Sequence, residues 1–447
     1  MESSAQTRLG CVYGHLLSPL EVNNGLSQVL INGGQRGYEE EGDPVVIGGM
    51  VLDIHATPSL PLNPRTTTPG KVHYVLGGVA RNIAECMSKL GTKPYMISAL
   101  GNDMAGKLLL EHWNSASLST EGIMKHQDIK TPVICNIFDT EGELAAAVAS
   151  VEAVEKFLTP SWIQQSKCNI SSAPVMMIDA NLSLPALEAA CQLAVESNIP
   201  VWFEPVSVAK SRRVASVVKY VSALIFSLTH DASSIIFKSA FEVTFASPNE
   251  DELITMANAL SCEIMFHPIE RDTNRKCSVE SLFQLLKPAI LVLLERGIKI
   301  VVVTLGADGV FLCSTGPNLM RFSSGRTKKY GFSGQLYDNV TSGCPSSRFS
   351  GAMQINRRSN LFAVHFPALP ASVLRLTGAG DCLVGGTLAS ICSGLDVMQS
   401  IAVGMAAAKN AVEGEANVPS EFSLATISDD ARSIYSAAKV LLHQSML

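Results

Sequence analysis

Thr377-Gly378-Ala379-Gly380-Asp381, running directly into the apolar helical stretch 382–391, is the segment on which the reading of this chain turns. Small residues let backbone N–H groups come close to a phosphate, and the N-terminus of the following helix adds partial positive charge. An Asp at the same point can accept the proton of an attacking hydroxyl. A glycine turn with Asp as an ordinary N-cap looks the same. The five residues alone do not separate these readings.

Outward from that point, short apolar strands alternate with amphipathic helices. The globular pattern opens at Val45-Val46-Ile47, followed by Gly48-Gly49. Strands are expected at 93–100, 175–178, 201–203 and 300–304, and helices at 104–113, 184–195, 380–393 and 397–412. Continuous apolar strands separated by helices predict an α/β fold: a mostly parallel sheet with helices on both faces. Two segments break the rhythm, 71–76 and 131–148, the second a hairpin around Asp139-Thr140-Glu141-Gly142. They are expected to form a small β lid over the carboxyl edge of the sheet. A polar stretch at about 323–360, rich in Gly, Ser, Arg and Asn, reads as an exposed insertion. Residues 1–43 read as a leader and 44–447 as the folded domain.

Other segments carry chemistry. Asp53 follows the first strand, where a carboxylate can take hydrogen bonds from vicinal sugar hydroxyls; a solvated loop Asp would look no different. In Gly77-Gly78-Val79-Ala80-Arg81-Asn82-Ile83-Ala84, two glycines open a helix whose first turn carries Asn82, a donor and acceptor suited to a polyol. A plain glycine bend is the alternative. Neither site has the G-x-G-x-x-G spacing of a dinucleotide fold, and no Walker A sequence is present. In Pro248-Asn249-Glu250-Asp251-Glu252, Glu252 can hold the water shell of a magnesium ion, or Asn249 and Glu252 can form a capping box. Val303-Thr304-Leu305-Gly306-Ala307-Asp308-Gly309 can pass beside a nucleotide, or form a hairpin turn.

In this order and combination, the segments resemble the ribokinase-like (pfkB) carbohydrate kinases over roughly residues 44–419, apart from the polar stretch. The resemblance implies that Asp53, Gly77, Gly78 and Asn82 hold the substrate and that Asn249 and Glu252 serve magnesium and phosphate. It further implies that Thr304, Gly306 and Gly309 line the ATP site, that Gly378, Ala379 and Gly380 form an anion hole, and that Asp381 is the general base. Val79-Ala80-Arg81-Asn82-Ile83-Ala84-Glu85 and Phe203-Glu204-Pro205-Val206-Ser207-Val208-Ala209-Lys210 look like the pseudouridine kinases within that family. The implied reaction is phosphorylation of the nucleoside 5′-hydroxyl, with Arg81 reaching a base carbonyl. Ribokinase, fructokinase and adenosine kinase are the alternatives; a non-catalytic regulatory subunit is a further one, disfavoured because the Asp and its glycines are kept. One departure stands out. Where the family commonly places an Asp that helps to bind a monovalent cation, this chain has Arg375 and Leu376, which leaves potassium activation open.

The bulk properties fit this picture. The 447 residues are 47% hydrophobic and 17% charged, enough for a large core. A net charge of -6 gives no general attraction to nucleic acid or acidic membranes, so neither is expected as a partner. The 11 cysteines include no C-x-x-C pair, pointing to a reducing compartment rather than a disulfide or zinc framework. No apolar run approaches the length of a membrane span. Near the start, Arg8-Leu9 and His15-Leu16 fit the R-L-x5-H-L type of peroxisomal signal, and Ser445-Met446-Leu447 resembles the S-K-L address. A peroxisomal location with import receptors as partners is therefore expected, with cytosol as the alternative. A homodimer is left open.

Overall fold

Val45-Val46-Ile47 can be apolar at every position because both faces of its sheet are covered. Val46 packs into one core cluster, while Val45 and Ile47 pack into the other. The alternation repeats in Ile300 and Val302 against Val301 and Val303, as the two-residue period of a strand requires. The computed structural model describes residues 42–63, 65–141, 144–218, 243–261, 264–269, 278–316, 319, 331–349 and 361–441. The Arg8-Leu9 and His15-Leu16 pattern and Ser445-Met446-Leu447 lie outside the described residues.

The strands are β1 (Val45–Ile47), β2 (Val51–Pro58), β3 (Gly70–Gly77), β4 (Tyr95–Gly101), β5 (Ile123–His126), β6 (Val133–Phe138), β7 (Leu144–Ser150), β8 (Met176–Asp179), β9 (Val201–Glu204), β10 (Val243–Ala246), β11 (Ile300–Thr304), β12 (Val310–Ser314), β13 (Phe362–Phe366) and β14 (Lys439–Val440). Ten of them form one sheet in the order β14-β13-β12-β11-β10-β9-β8-β1-β4-β5. Every pairing from β11 through to β5 is parallel, and β12, β13 and β14 add an antiparallel edge. One face is covered by helices α1 (Val79–Lys89), α2 (Met104–Ser115), α3 (Gly331–Gly343), α4 (Ala379–Cys392), α5 (Val397–Val412) and α6 (Leu424–Ala437), the other by helices that include Leu184–Ser197, Glu250–Leu260 and Val279–Glu295. This is the α/β class that the sequence predicts. The order turns back at β1, whose chain leaves towards β4 on one side while β8 lies on the other. Such a switch leaves a crevice at the carboxyl ends of the strands, where ligands bind in open α/β sheets.

The β lid is a separate four-stranded sheet, β3-β2-β6-β7. It contains one strand more than the sequence reading anticipates. Val51–Pro58 looks like the loop after β1, yet it pairs with β3 along its whole length and with β6. Its polar positions Asp53 and His55 are buried, which inverts the usual pattern of polar residues facing water.

The expectation of an exposed insertion at 323–360 fails over residues 331–349. Gly331–Gly343 is a helix followed by a 3-10 turn at Ser346–Phe349, and Leu336, Val340, Cys344 and Phe349 are buried in the main core. Phe332, Leu336, Val340 and Cys344 recur at every fourth residue, a helical stripe masked in the sequence by the glycines and serines around it. Gln399 Nε2 donates to the Cys344 carbonyl at 2.7 Å, and the Tyr435 hydroxyl donates to the Pro345 carbonyl at 3.0 Å, fastening the segment to α5 and α6.

Candidate active site

Two glycine turns bring the lid, α1 and α4 together. Gly78 has φ 94°, and a Cβ there would stand 2.4 Å from the Gly49 carbonyl oxygen. Gly378 has φ 87°, and its Cβ would stand 2.1 Å from the Asn417 carbonyl oxygen. Only glycine tolerates both the left-handed backbone and these approaches. α1 and α4 therefore begin at one place, and Asn82 in the first turn of α1 donates through Nδ2 to Asp381 Oδ2 at 2.6 Å. Each helix start leaves backbone N–H groups without acceptors of their own. In α4 these include Gly380 and Asp381, while the Ala379 N–H donates to the Leu376 carbonyl at 3.3 Å; Gly380 is open to solvent, with nothing within 4 Å of where its Cβ would be. That is the geometry of an anion hole beside a carboxylate.

Asp381 is only partly exposed. Burial pushes its carboxyl up to about 6, against the lowering effects of the Asn82 hydrogen bond and the Arg81 charge, with Asp179 and Asp53 pushing further up. Asp53 is also raised to about 6, by burial outweighing the Arg81 charge, an Asn417 hydrogen bond and Arg375. Gly77 lies against the Asp53 carboxylate. The residues expected to hold substrate thus form one connected group with the base.

Arg81 is placed differently from expectation. Its side chain is buried, and its guanidinium donates to Glu85, to the Leu76 carbonyl at 2.9 Å and to Asn82 Oδ1. The planar fork is spent inside the protein rather than held out to a nucleobase. Burial alone would raise Glu85, but His112, Arg81 and Lys89 around it hold its carboxyl at about 2.

Asn249, Glu252, Thr304, Gly306 and Gly309 form a second group at the ends of β10 and β11. Asn249 caps helix Glu250–Leu260, accepting from the Glu252 N–H at 2.9 Å, while Glu252 Oε2 accepts from the Asn249 N–H at 2.9 Å. The capping box is therefore real, and it leaves the second oxygen of Glu252 outside the box. Asn249→Ala should lower stability by about 0.5–2 kcal/mol in urea unfolding, and Asn249→Asp should restore it. Thr304 ends β11 and donates its N–H to the Pro248 carbonyl at 3.0 Å, so the two segments lie side by side. Gly306 and Gly309 belong to the tight turn into β12, closed by a bond from the Gly309 N–H to the Gly306 carbonyl at 3.1 Å.

Several site residues went unassigned in the sequence reading. Asp179 ends β8, is fully buried, and accepts from the Gly49 N–H at 2.9 Å across the switch in strand order. Burial raises its carboxyl. Glu204 ends β9 and accepts from Ser247 Oγ. Burial raises it well above the usual range, and repulsion from Glu252 and Asp381 adds to this, so it links the two groups of the cleft. The signal was present: Met176-Met177-Ile178-Asp179 and Val201-Trp202-Phe203-Glu204 are both apolar strands ending in an acid, at the edge where ligands bind. Arg375 donates to His55 Nδ1 on the lid at 2.8 Å and to the Glu415 carbonyl at 2.8 Å. The segment before the anion hole is thus tied to the lid by a guanidinium.

Residues 43–232 match the family model described as pfkB family carbohydrate kinase. The chain is 52% identical over 406 residues to the pseudouridine kinase of Arabidopsis thaliana, covering 91% of this chain and 100% of that protein. It is 31% identical over 170 residues to the pseudouridine kinase of Escherichia coli (strain K12), covering 38% of this chain and 53% of that protein. Among solved structures, the ribokinase of Arabidopsis thaliana complexed with ribose and ATP superposes with a TM-score of 0.59 at 15% identity, covering 87% of this chain and 98% of that one. The ribokinase of Thermotoga maritima gives 0.59 at 16% identity, covering 87% and 99%.

Proposed function

This chain belongs to the pfkB family of carbohydrate kinases, and we propose that it transfers the γ-phosphoryl group of ATP to the 5′-hydroxyl of pseudouridine. The observation that carries the substrate is the 52% identity to a pseudouridine kinase along the whole of that protein. The geometry supplies the chemistry. The vicinal ribosyl hydroxyls lie against Asp53 and Asn82 on the lid side, and the proton of the 5′-hydroxyl passes to Asp381 as its oxygen bonds to the γ-phosphorus. The bond from that phosphorus to the bridging oxygen breaks in line, and ADP leaves with the electron pair. The N–H groups at the start of α4 stabilise the charge on the transferring phosphoryl oxygens.

Magnesium fits the other end of the cleft. Glu204 and Glu252 repel each other there, and Glu252 keeps one oxygen for a metal-bound water. Among the described residues no three His, Cys, Asp or Glu side chains converge as a cage, which suits a metal carried by phosphate oxygens and water. When bound, magnesium neutralises charge on the β- and γ-oxygens.

The test is kcat/KM for pseudouridine, uridine, adenosine, ribose and fructose with ATP and magnesium. Pseudouridine should lead; a lead for any other substrate would replace this reading. The Arg8-Leu9 and His15-Leu16 pattern and Ser445-Met446-Leu447 support a peroxisomal location. Fluorescent fusions placed at each end in turn should show peroxisomal signal with at least one, and a cytosolic signal from both would contradict it.

A further inference from the structure

Arg81 is a buried cation that the phosphoryl transfer above does not use. Arg81 lies between the two acids of the substrate side, Asp53 and Asp381, and both feel its charge. We propose that Arg81 is a positioning residue, which fixes the amide of Asn82 and thereby aims the free oxygen of Asp381 at the acceptor hydroxyl. The inference rests on Asp381 being the base and deepens that reading.

An arginine can only donate, so the Asn82 atom facing Arg81 is the carbonyl Oδ1. The amide is then turned, and its Nδ2 must face the other way. There it donates to Asp381 Oδ2 at 2.6 Å. Accepting that bond holds one carboxylate oxygen and leaves Oδ1 for the substrate. Without Arg81 the Asn82 carbonyl loses its donor, and the amide is then held at its Asp381 end alone. Arg81 is fixed in turn by Glu85, by the Leu76 carbonyl at the end of β3, and by its own N–H to the Gly49 carbonyl at 3.2 Å. Glu85 is anchored further by Lys89 Nζ at 2.5 Å and His112 Nε2 at 3.1 Å. The chain from Glu85 through Arg81 and Asn82 to Asp381 is therefore rigid at each link. Arg81 Nε is buried without a hydrogen-bond partner among the described residues.

The charged and titratable groups facing Asp381 are Arg81 from α1, Asp53 from β2, Asp179 from β8, Glu204 from β9 and the adjoining Cys382. Arg81 is the one cation among them. Replacing it with a neutral residue removes the attraction that favours the carboxylate, so Asp381 should hold its proton to higher pH. The acid limb of kcat/KM should move upward.

The test compares wild type, Arg81→Gln, Arg81→Lys, Asn82→Ala and the double variant Arg81→Gln/Asn82→Ala. Arg81→Gln should lower kcat at neutral pH by roughly 10- to 100-fold, with KM for nucleoside changed little and partial recovery in alkali. Compared on the alkaline plateau, where Asp381 is ionised in every variant and the direct charge effect no longer counts, the same change in the Asn82→Ala background should cost no more than about twofold further, because Arg81 positions the base through Asn82. Arg81→Lys keeps the charge and should restore the acid limb while recovering only part of kcat. If Arg81→Gln does not fold, Arg81→Lys with and without Asn82→Ala carries the same comparison. Equal losses in both backgrounds, or an unmoved acid limb, would overturn the proposal. So would a KM increase confined to pseudouridine with ribose unaffected, which would make Arg81 a reader of the base. Carbon-13 NMR of the Asp381 carboxyl, assigned with Asp381→Asn, follows its titration without turnover. An upward move in Arg81→Gln supports the proposal even if no substrate in the panel is phosphorylated, a result that would count against the function reading alone.

Discussion

Asp381→Asn should bind nucleoside and ATP within a few-fold of wild type and lose nearly all turnover. The substitution keeps size and hydrogen bonding and removes the basic carboxylate. A sugar hydroxyl is a very weak acid, so its proton must leave as the bond to phosphorus forms. A positioned general base contributes about 10²–10⁴-fold, or about 3–5 kcal/mol of barrier. The phosphoryl oxygens meet other groups, the N–H groups at the start of α4 among them, so binding should survive. If Asp381 served only as a helix cap, Asn would replace it at almost no cost. The structure gives that capping reading no support: Gly378 occupies the N-cap, and the Asp381 side chain is engaged with Asn82 instead. With the Asp381 carboxyl raised to about 6, the wild-type rate should fall as pH drops through that value. The sign follows because the base works only when deprotonated, and burial makes it retain its proton to higher pH than a free Asp.

Replacing residues 331–349 with a short Gly/Ser linker should destabilise the fold severely. The exchange removes Leu336, Val340, Cys344 and Phe349 from the core and exposes the surfaces of α5 and α6 beneath them. Three large apolar side chains lose roughly 1.5–3 kcal/mol each on exposure. The total is comparable to the roughly 5–15 kcal/mol by which a folded protein exceeds its unfolded chain. Thermal unfolding should lose its cooperative transition or shift down by roughly 10 °C or more. Leu336→Ala alone should cost about 2–5 kcal/mol and keeps the test open if the replacement does not express. An unchanged melting temperature in both would show that the segment does not contribute to the core.

Much of this could be read from the residues because the chemistry sits where patterns are strong. β11 and α5 were bounded correctly by the apolar pattern alone, since β11 is buried on both faces of the sheet and α5 is buried along most of its length. Asp381 and the glycines before it were found through their spacing, and the structure joins them to Asn82 nearly 300 positions away in the chain. Val51–Pro58 was missed because its buried face carries Asp53 and His55, which the rule of polar residues outside assigns to a loop. α3 was missed because glycine and serine outnumber its four-residue stripe. Arg81 was noticed for its charge and given the wrong direction: sequence shows that a guanidinium stands beside Asn82 but not that Glu85, one turn on, claims it. Asp179 and Glu204 needed only the observation that an apolar strand ending in an acid places that acid at the sheet's ligand-binding edge.

The central claim is that this site delivers a phosphoryl group to one particular oxygen of one particular nucleoside. The most direct measurement is product identification after incubating the protein with ATP, magnesium and an equimolar mixture of pseudouridine, uridine, adenosine and ribose. One main phosphorylated product is expected, pseudouridine carrying a phosphate whose phosphorus-31 resonance couples to the two 5′ methylene protons. A main product built on another member of the mixture, a phosphate at another hydroxyl, or ADP released without any phosphorylated acceptor would contradict it.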